Sequence, residues 1–428
     1  MLPGKSHHSP SVQQDGITAW YFGWNIVVVA SVLMLLAVGL RLGIGPFFFP
    51  ISDSLGLSRS LLSTIVAITM LFYGLAMPFA GWLVVRIGTR NTLHLGTLMI
   101  VVGGSWAACA ETPFGFSISF GVILSVGLAF VSPVTLTPIV NRWFTHHRGM
   151  ALFFLSTGGM AGLAVVTPLL TWTIDIFGWR ATLAGYTAVL AVLTILGALF
   201  VMHDEAPVDA DQSAGVDKRA ADQTALPGSL RFRDALVTSP FWKLTLGLIA
   251  NGYSMTLLGT HGIPMLIDNK FDASTSSLGV GLIGLVAIFS TIALGRIADA
   301  VSRKNMLAVI FFVRGLAFMG LVLVVTKWQL YTVAIVGGLV WAGAIALVSA
   351  IMADIYGARL LGSLYGISFS CQQLGGMVSA WLGGWGNENF GTHWIAFGSA
   401  AAILFVAGFV SVSLPRQGMG GVSHDSVR

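Results

Sequence analysis

The sequence predicts an all-α polytopic membrane protein with twelve transmembrane helices in two pseudo-symmetric six-helix bundles. Three observations predict it: a succession of long apolar segments, a one-sided distribution of basic residues, and a repeat of the first half in the second. Hydrophobic residues make up 55% of the 428 residues and charged residues 9%. A soluble domain carries about 25% charged residues.

Apolar segments of roughly 20 residues are long enough to cross a bilayer as helices. They fall at 22–50, 58–84, 91–110, 114–140, 147–174, 180–202, 240–267, 277–300, 304–326, 328–351, 360–383 and 393–414. Alternating strand-like segments of about ten residues are absent, which excludes an outer-membrane barrel. The first segment follows about twenty polar residues and is too long for a signal-peptide core, so it is expected to remain in the mature protein. Cys109 and Cys371 lie in or near different segments and show no disulfide or metal spacing.

With the N-terminus placed in the cytoplasm, sixteen Lys and Arg fall on the cytoplasmic side and four (Arg59, Arg180, Lys270 and Lys327) on the other. Basic residues mark the cytoplasmic side, so both termini are expected inside the cell, with the chain in the inner (plasma) membrane. Only Arg41 and Arg314 remain within the membrane.

The domain expectation is an N-terminal tail 1–21, a first bundle 22–202, a linker 203–239, a second bundle 240–414 and a C-terminal tail 415–428. The linker is polar and acid-rich (Asp204, Glu205, Asp209, Asp211, Asp217) and reads as flexible and cytoplasmic. The halves repeat: Pro50 with Pro264 and Gly81 with Gly295 share one offset of 214 residues. Gly81-Trp-Leu-Val-Val-Arg-Ile-Gly-Thr-Arg-Asn91 follows the second segment, and Gly295-Arg-Ile-Ala-Asp-Ala-Val-Ser-Arg-Lys-Asn305 the eighth. Two related halves around a midplane site is a common carrier architecture.

These two loops resemble the signature of the major facilitator superfamily. In that signature Gly81, Arg86 and Arg90, and Gly295, Asp299 and Arg303, are the conformational positions. Val85 stands where an acid is usual, so the resemblance implies a weaker charge contact in the first copy than in the second. Trp20-Tyr-Phe-Gly-Trp24, Asn141-Arg-Trp-Phe144, Arg148-Gly-Met-Ala151 and Gly178-Trp-Arg180 are similar to the monocarboxylate transporter family. Asp354-Ile-Tyr-Gly357 with Gln373-Leu-Gly-Gly376 is similar to the related oxalate/formate antiporters. Mammalian-type monocarboxylate carriers have an Asp/Arg pair in the eighth span. Here the register gives Ala287 and Thr291, so their proton mechanism is not carried over.

Arg41 is the most informative residue. A cation in hydrocarbon costs about 2.5–3.5 kcal/mol on insertion scales, and it persists when it meets a wet cavity, a partner or a substrate. No Asp or Glu lies well inside an apolar segment, so an anionic ligand is the expected counter-charge. Gly39, Gly43, Gly45 and Pro46 let the helix bend beside it. The competing reading is a structural arginine bonded to carbonyls. For Arg314 the structural and substrate readings weigh equally, since the superfamily resemblance puts the ninth helix outside the bundle.

His261 lies near the outer end of the seventh segment, where an imidazole can carry a proton or donate to a carboxylate. It is expected to tune pH dependence. Tyr73, Ser156, Asn251, Tyr253, Trp341, Gln372 and Gln373 lie near mid-depth and provide neutral hydrogen bonds and an aromatic wall. Each is individually more often inter-helix packing than a ligand contact.

No phosphate-cradling loop, metal motif or basic-aromatic nucleic-acid patch occurs, so neither an enzyme nor a cofactor is expected. The expected partners are a small organic anion, possible coupled protons and membrane lipid, without nucleic acid, and with a monomer as the transport unit. The leading function is secondary transport of a small mono- or dicarboxylate by proton symport or anion exchange. An exporter of hydrophobic compounds and a transporter-like anion sensor are the alternatives.

Overall fold

The computed structural model describes residues 21–144, 148–203 and 232–415. The expected tails, apart from residues 21 and 415, and residues 204–231 of the expected linker lie outside these residues. So do the surroundings of Gly295 and Asp299, and with them the contrast expected between the two loop signatures.

The first apolar segment is not one rod. Helix α1 (Gly23–Leu42) ends where the Gly43 N–H reaches back to the Gly39 carbonyl. A short 3-10 turn, Gly45–Phe47, carries Pro46 and leads into α2 (Phe48–Leu55). Arg41 therefore sits in the last turn of α1, where free carbonyls and the helix dipole favour a cation.

Helix α3 (Arg59–Cys109) contains two rods joined at Gly88 (φ 83°, ψ 167°). Pro113–Trp143 follows as α4 (Pro113–Phe116), a π-helical stretch, α5 (Ser125–Phe130) and α6 (Pro133–Trp143). Helix α7 (Arg148–Ala161) runs through a second π-helical stretch, Gly162–Val166, into α8 (Thr167–Phe200), which turns at Gly178.

The second half begins with α9 (Phe232–Val237), α10 (Ser239–Asp268), α11 (Ala273–Ala300) and α12 (Arg303–Leu323). It ends with α13 (Lys327–Leu339), α14 (Gly343–Phe390, turning at Gly357) and α15 (Trp394–Val412). A break at Val340–Ala342 separates α13 from α14, much as Val131–Ser132 separates α5 from α6.

Among the described residues, eight helical stretches are long and apolar enough to cross a membrane. Helix α10 and the second rod of α14 are not among them. Both carry polar side chains: Asn251, Thr256, Thr260 and His261 on α10, and Ser368, Gln372, Gln373 and Ser379 on α14. All eight of these side chains are buried. The most polar rods thus lie inside the bundle, with apolar rods around them.

Helix α10 packs along α14, α14 along α3, and α12 along α15. Close packing between the halves and within the second half depends on glycines that let backbones touch. A Cβ on Gly259 of α10 would overlap the Leu42 carbonyl of α1, and one on Gly252 would overlap the Gln372 carbonyl of α14. Asp272 caps α11 by accepting from the Thr275 N–H at 2.8 Å and its hydroxyl at 2.7 Å. Those bonds, with Lys327 alongside, hold the exposed Asp272 carboxyl below the usual carboxylate range.

Candidate functional site

The half-buried Arg41 guanidinium lies between α3 and α14. Nη1 donates to Gln373 Oε1 of α14 at 3.1 Å, and Met70 Sδ of α3 lies 4.0 Å away. The Tyr73 ring centroid is 4.6 Å from Cζ, a cation–π distance. Nε is buried and has no acceptor, and Gln373 Nε2 is likewise unpartnered. No ion pair among the described residues includes Arg41. A void of about 10 Å³, lined by Arg41, Met70, Thr69, Phe120 and Ser125, adjoins the guanidinium. That is close to the smallest space that holds one water.

Arg41 and Gln373 are 332 residues apart, so this bond ties the two halves together. Met70 Sδ adds a second tie by accepting from Thr256 Oγ1 of α10 at 3.8 Å. Gln372, next to Gln373, packs on Gly252 and leaves its Oε1 unpartnered. One carboxylate at Arg41 would meet a planar donor edge, an amide N–H and an aromatic face.

The other residues singled out in the sequence separate into groups. Arg314, Asn251 and Trp341 form a second cluster: Arg314 is fully buried and donates to Asn251 Oδ1 at 2.5 Å. Although α12 packs against α15, its arginine turns inward to α10. Tyr253 bonds Ser399 of α15 at 2.7 Å. Ser156 is exposed. His261 Nε2 donates to the Ala380 carbonyl at 2.8 Å, with Ser63 Oγ at 3.5 Å and the Phe48 ring edge-on. Arg86 lies over Trp82 at 5.5 Å, and Arg303 forms a fork on Asp354 at 2.6 and 2.8 Å.

Sequence reasoning missed a network at the end of the bundle where α3 begins. Arg59 donates to both oxygens of Asp268, at 2.5 and 3.0 Å, and to Asn387 Oδ1 at 2.8 Å. His393 Nε2 lies 2.9 Å from Asp268 Oδ2 and 3.1 Å from Asn387 Nδ2. The Ser60 N–H donates to Glu388 at 2.7 Å. This network joins α3 to α10 and α14 above His261 and closes that end. At the opposite end, a Cβ added to Gly362 or Gly366 of α14 meets nothing within 4 Å.

The Arg59 fork is a test of what closes the bundle. Asp268→Asn keeps the shape but removes the charge. In a protein with Cys109 and Cys371 replaced by Ser, it should raise the labelling rate of a cysteine introduced at buried Ser63 about two- to tenfold. That range corresponds to one partly exposed, charge-assisted contact. An unchanged rate would mean that packing alone holds this end shut.

Residues 27–380 match the Major Facilitator Superfamily. The chain belongs to that superfamily. It is similar to an uncharacterized transporter of the superfamily, YcxA of Bacillus subtilis (26% identity, 84% of this chain and 87% of that one). It is also similar to the oxalate:formate antiporter of Oxalobacter formigenes (23% identity, 92% of each chain). Monocarboxylate transporter 13 of Rattus norvegicus shares 22% identity over 92% of this chain and 89% of its own. Among solved structures, the inward-open xylose transporter XylE of E. coli superposes with a TM-score of 0.70 at 14% identity, over 94% of this chain and 98% of that one. As a member of the superfamily the chain is a multi-pass membrane transporter, and the structural likeness concerns the fold alone.

Proposed function

We propose that this facilitator-superfamily protein is a secondary carrier for a small organic anion, a monocarboxylate or small dicarboxylate. The observation that carries the reading is Arg41. Among the described residues its charge has no carboxylate partner, and its one close oxygen acceptor is a neutral amide from the other half. A guanidinium fork matches a carboxylate with two parallel hydrogen bonds, which an amide oxygen cannot supply. An arriving carboxylate displaces Gln373, breaks one tie between the halves and is then held by both. That links binding to the rocking of two six-helix halves, which together make twelve crossings.

Under this reading the Arg59 end faces outward, both termini are cytoplasmic, and the present conformation is open toward the cytoplasm. The protein sits in the plasma membrane, and one chain is the transport unit. Two named relatives, the oxalate:formate antiporter and the monocarboxylate transporter, support an anionic cargo. Anion exchange needs no titrating side chain. Proton symport requires a group such as His261 or the substrate's own carboxyl.

Counterflow in proteoliposomes tests the proposal. Vesicles loaded with unlabelled formate, oxalate, lactate or pyruvate should accumulate the same labelled anion transiently above its outside concentration. Saturable binding without exchange would identify a sensor. Movement of apolar dyes with no carboxylate exchange would identify an exporter. A pH gradient that drives uptake into unloaded vesicles would select symport over exchange.

A further inference from the structure

The Arg314 cluster has a charge and more donors than the described residues have acceptors to receive them. Arg314 and Asn251 are both 0% exposed and Trp341 3%, so water does not solvate the guanidinium. Nη1 is used on Asn251 Oδ1, while Nε and Nη2 have no acceptor, and neither has Trp341 Nε1. Asn251 offers no further help, because its Nδ2 is turned to Met255 Sδ at 3.3 Å. The Trp341 ring lies 4.0 Å from Arg314 Cζ and stacks at 6° on Phe318. A ring face stabilises a cation, but it accepts nothing from N–H groups in the guanidinium plane. No ion pair among the described residues includes Arg314. An arginine does not shed its proton to escape burial, and an uncompensated buried charge is strongly destabilising.

We infer that Arg314, with Trp341, is a second anion site that binds a compact monovalent anion, no larger than a halide or formate. The free Nε and Nη2 donors form one edge of the guanidinium, and one carboxylate or one halide satisfies both. Enclosure by Asn251, Trp341 and Phe318 sets the size limit. Trp341 lies on the non-helical break at Val340–Ala342. Broken helices at mid-depth are where carriers expose backbone to bound ions, and a hinge there lets the indole uncover the arginine. This site is separate from Arg41 and stands whether or not Arg41 binds cargo.

The test measures the melting temperature of the purified full chain in sodium chloride, sodium formate and sodium gluconate at fixed ionic strength. It uses the wild type, Arg41→Gln, Arg314→Gln and Asn251→Asp. Chloride or formate should give a saturable rise of several degrees over gluconate in both wild type and Arg41→Gln. A rise with chloride identifies a halide from bulk solution, and a rise with formate alone identifies a carboxylate. The rise should vanish in Arg314→Gln. Asn251→Asp supplies the missing negative charge within the protein. It should therefore melt in gluconate as high as wild type does with bound anion, with no further response. This variant decides the question even if Arg314→Gln does not fold. The inference fails if wild type shows no saturable rise, if the rise survives in Arg314→Gln or Asn251→Asp, or if Arg41→Gln alone removes it.

Discussion

Arg41→Gln is expected to lower carboxylate uptake about 10- to 100-fold with membrane abundance unchanged. Hydrogen bonds to charged groups contribute about 1.5–3 kcal/mol each, and 1.4 kcal/mol is a factor of ten. Folding should tolerate the change, because the bond lost in the resting state goes to the neutral Gln373 and the guanidinium is half-buried. The Tyr73 contact is also lost, but a cation–π pair of this kind contributes less than a charged hydrogen bond. Arg41→Lys should be severely impaired too, since an ammonium keeps the charge but not the planar fork. Initial rates of labelled uptake, normalised to membrane protein, give the answer. Wild-type uptake by Arg41→Gln would reduce Arg41 to a structural tie between halves and remove the basis of the proposed cargo.

The second large effect is expected from Gly259→Val. Gly259 lies where α10 meets the end of α1, and any Cβ there overlaps the Leu42 carbonyl. Backbone cannot swing aside as a flexible side chain can, and overpacking typically costs about 1–3 kcal/mol. The Arg59 end would then close only with α1 and α10 forced apart, separating Arg59 from Asp268. Cysteine labelling at Ser63 should increase more than in Asp268→Asn, roughly 10- to 100-fold, and uptake should fall because one half of the cycle is disfavoured. Gly259→Val that labels and transports like wild type would show that this contact is not required for closure.

The general plan was legible in the sequence because it is written in length and composition. Apolar runs of membrane-spanning length and a fixed offset between Gly81 and Gly295 need no tertiary information. The bend after Arg41 was legible for the same reason, since Gly43, Gly45 and Pro46 are local signals. The Arg59 network was not. Arg59, Asp268, Asn387 and His393 each sit at a helix end, where a polar residue is unremarkable, and up to 328 residues separate the partners. Arg314 was ambiguous because periodicity places a residue on a helix but does not show how far a long side chain reaches. The reach to Asn251 depends on how α12 lies against α10. Tyr253 shows the opposite limit: it shares α10 with Asn251, but two positions turn it by about 200° around the axis, toward Ser399.

The turns at Gly88, Gly178 and Gly357 determine where the chain can be extended. Each places one residue at φ of 76–83° and ψ of 163–167°, a region essentially closed to residues with a Cβ, and helix resumes at once on either side. These turns have no slack, although Gly178 and Gly357 themselves face open space. An epitope tag or protease site inserted there has to unwind the end of a rod, and even a single alanine meets the backbone restriction. The loop after α10, with its exposed Asn269 and Lys270, carries residues outside any helix. That loop is the place to graft a label, a tether or a fluorescent reporter without disturbing the rods on either side.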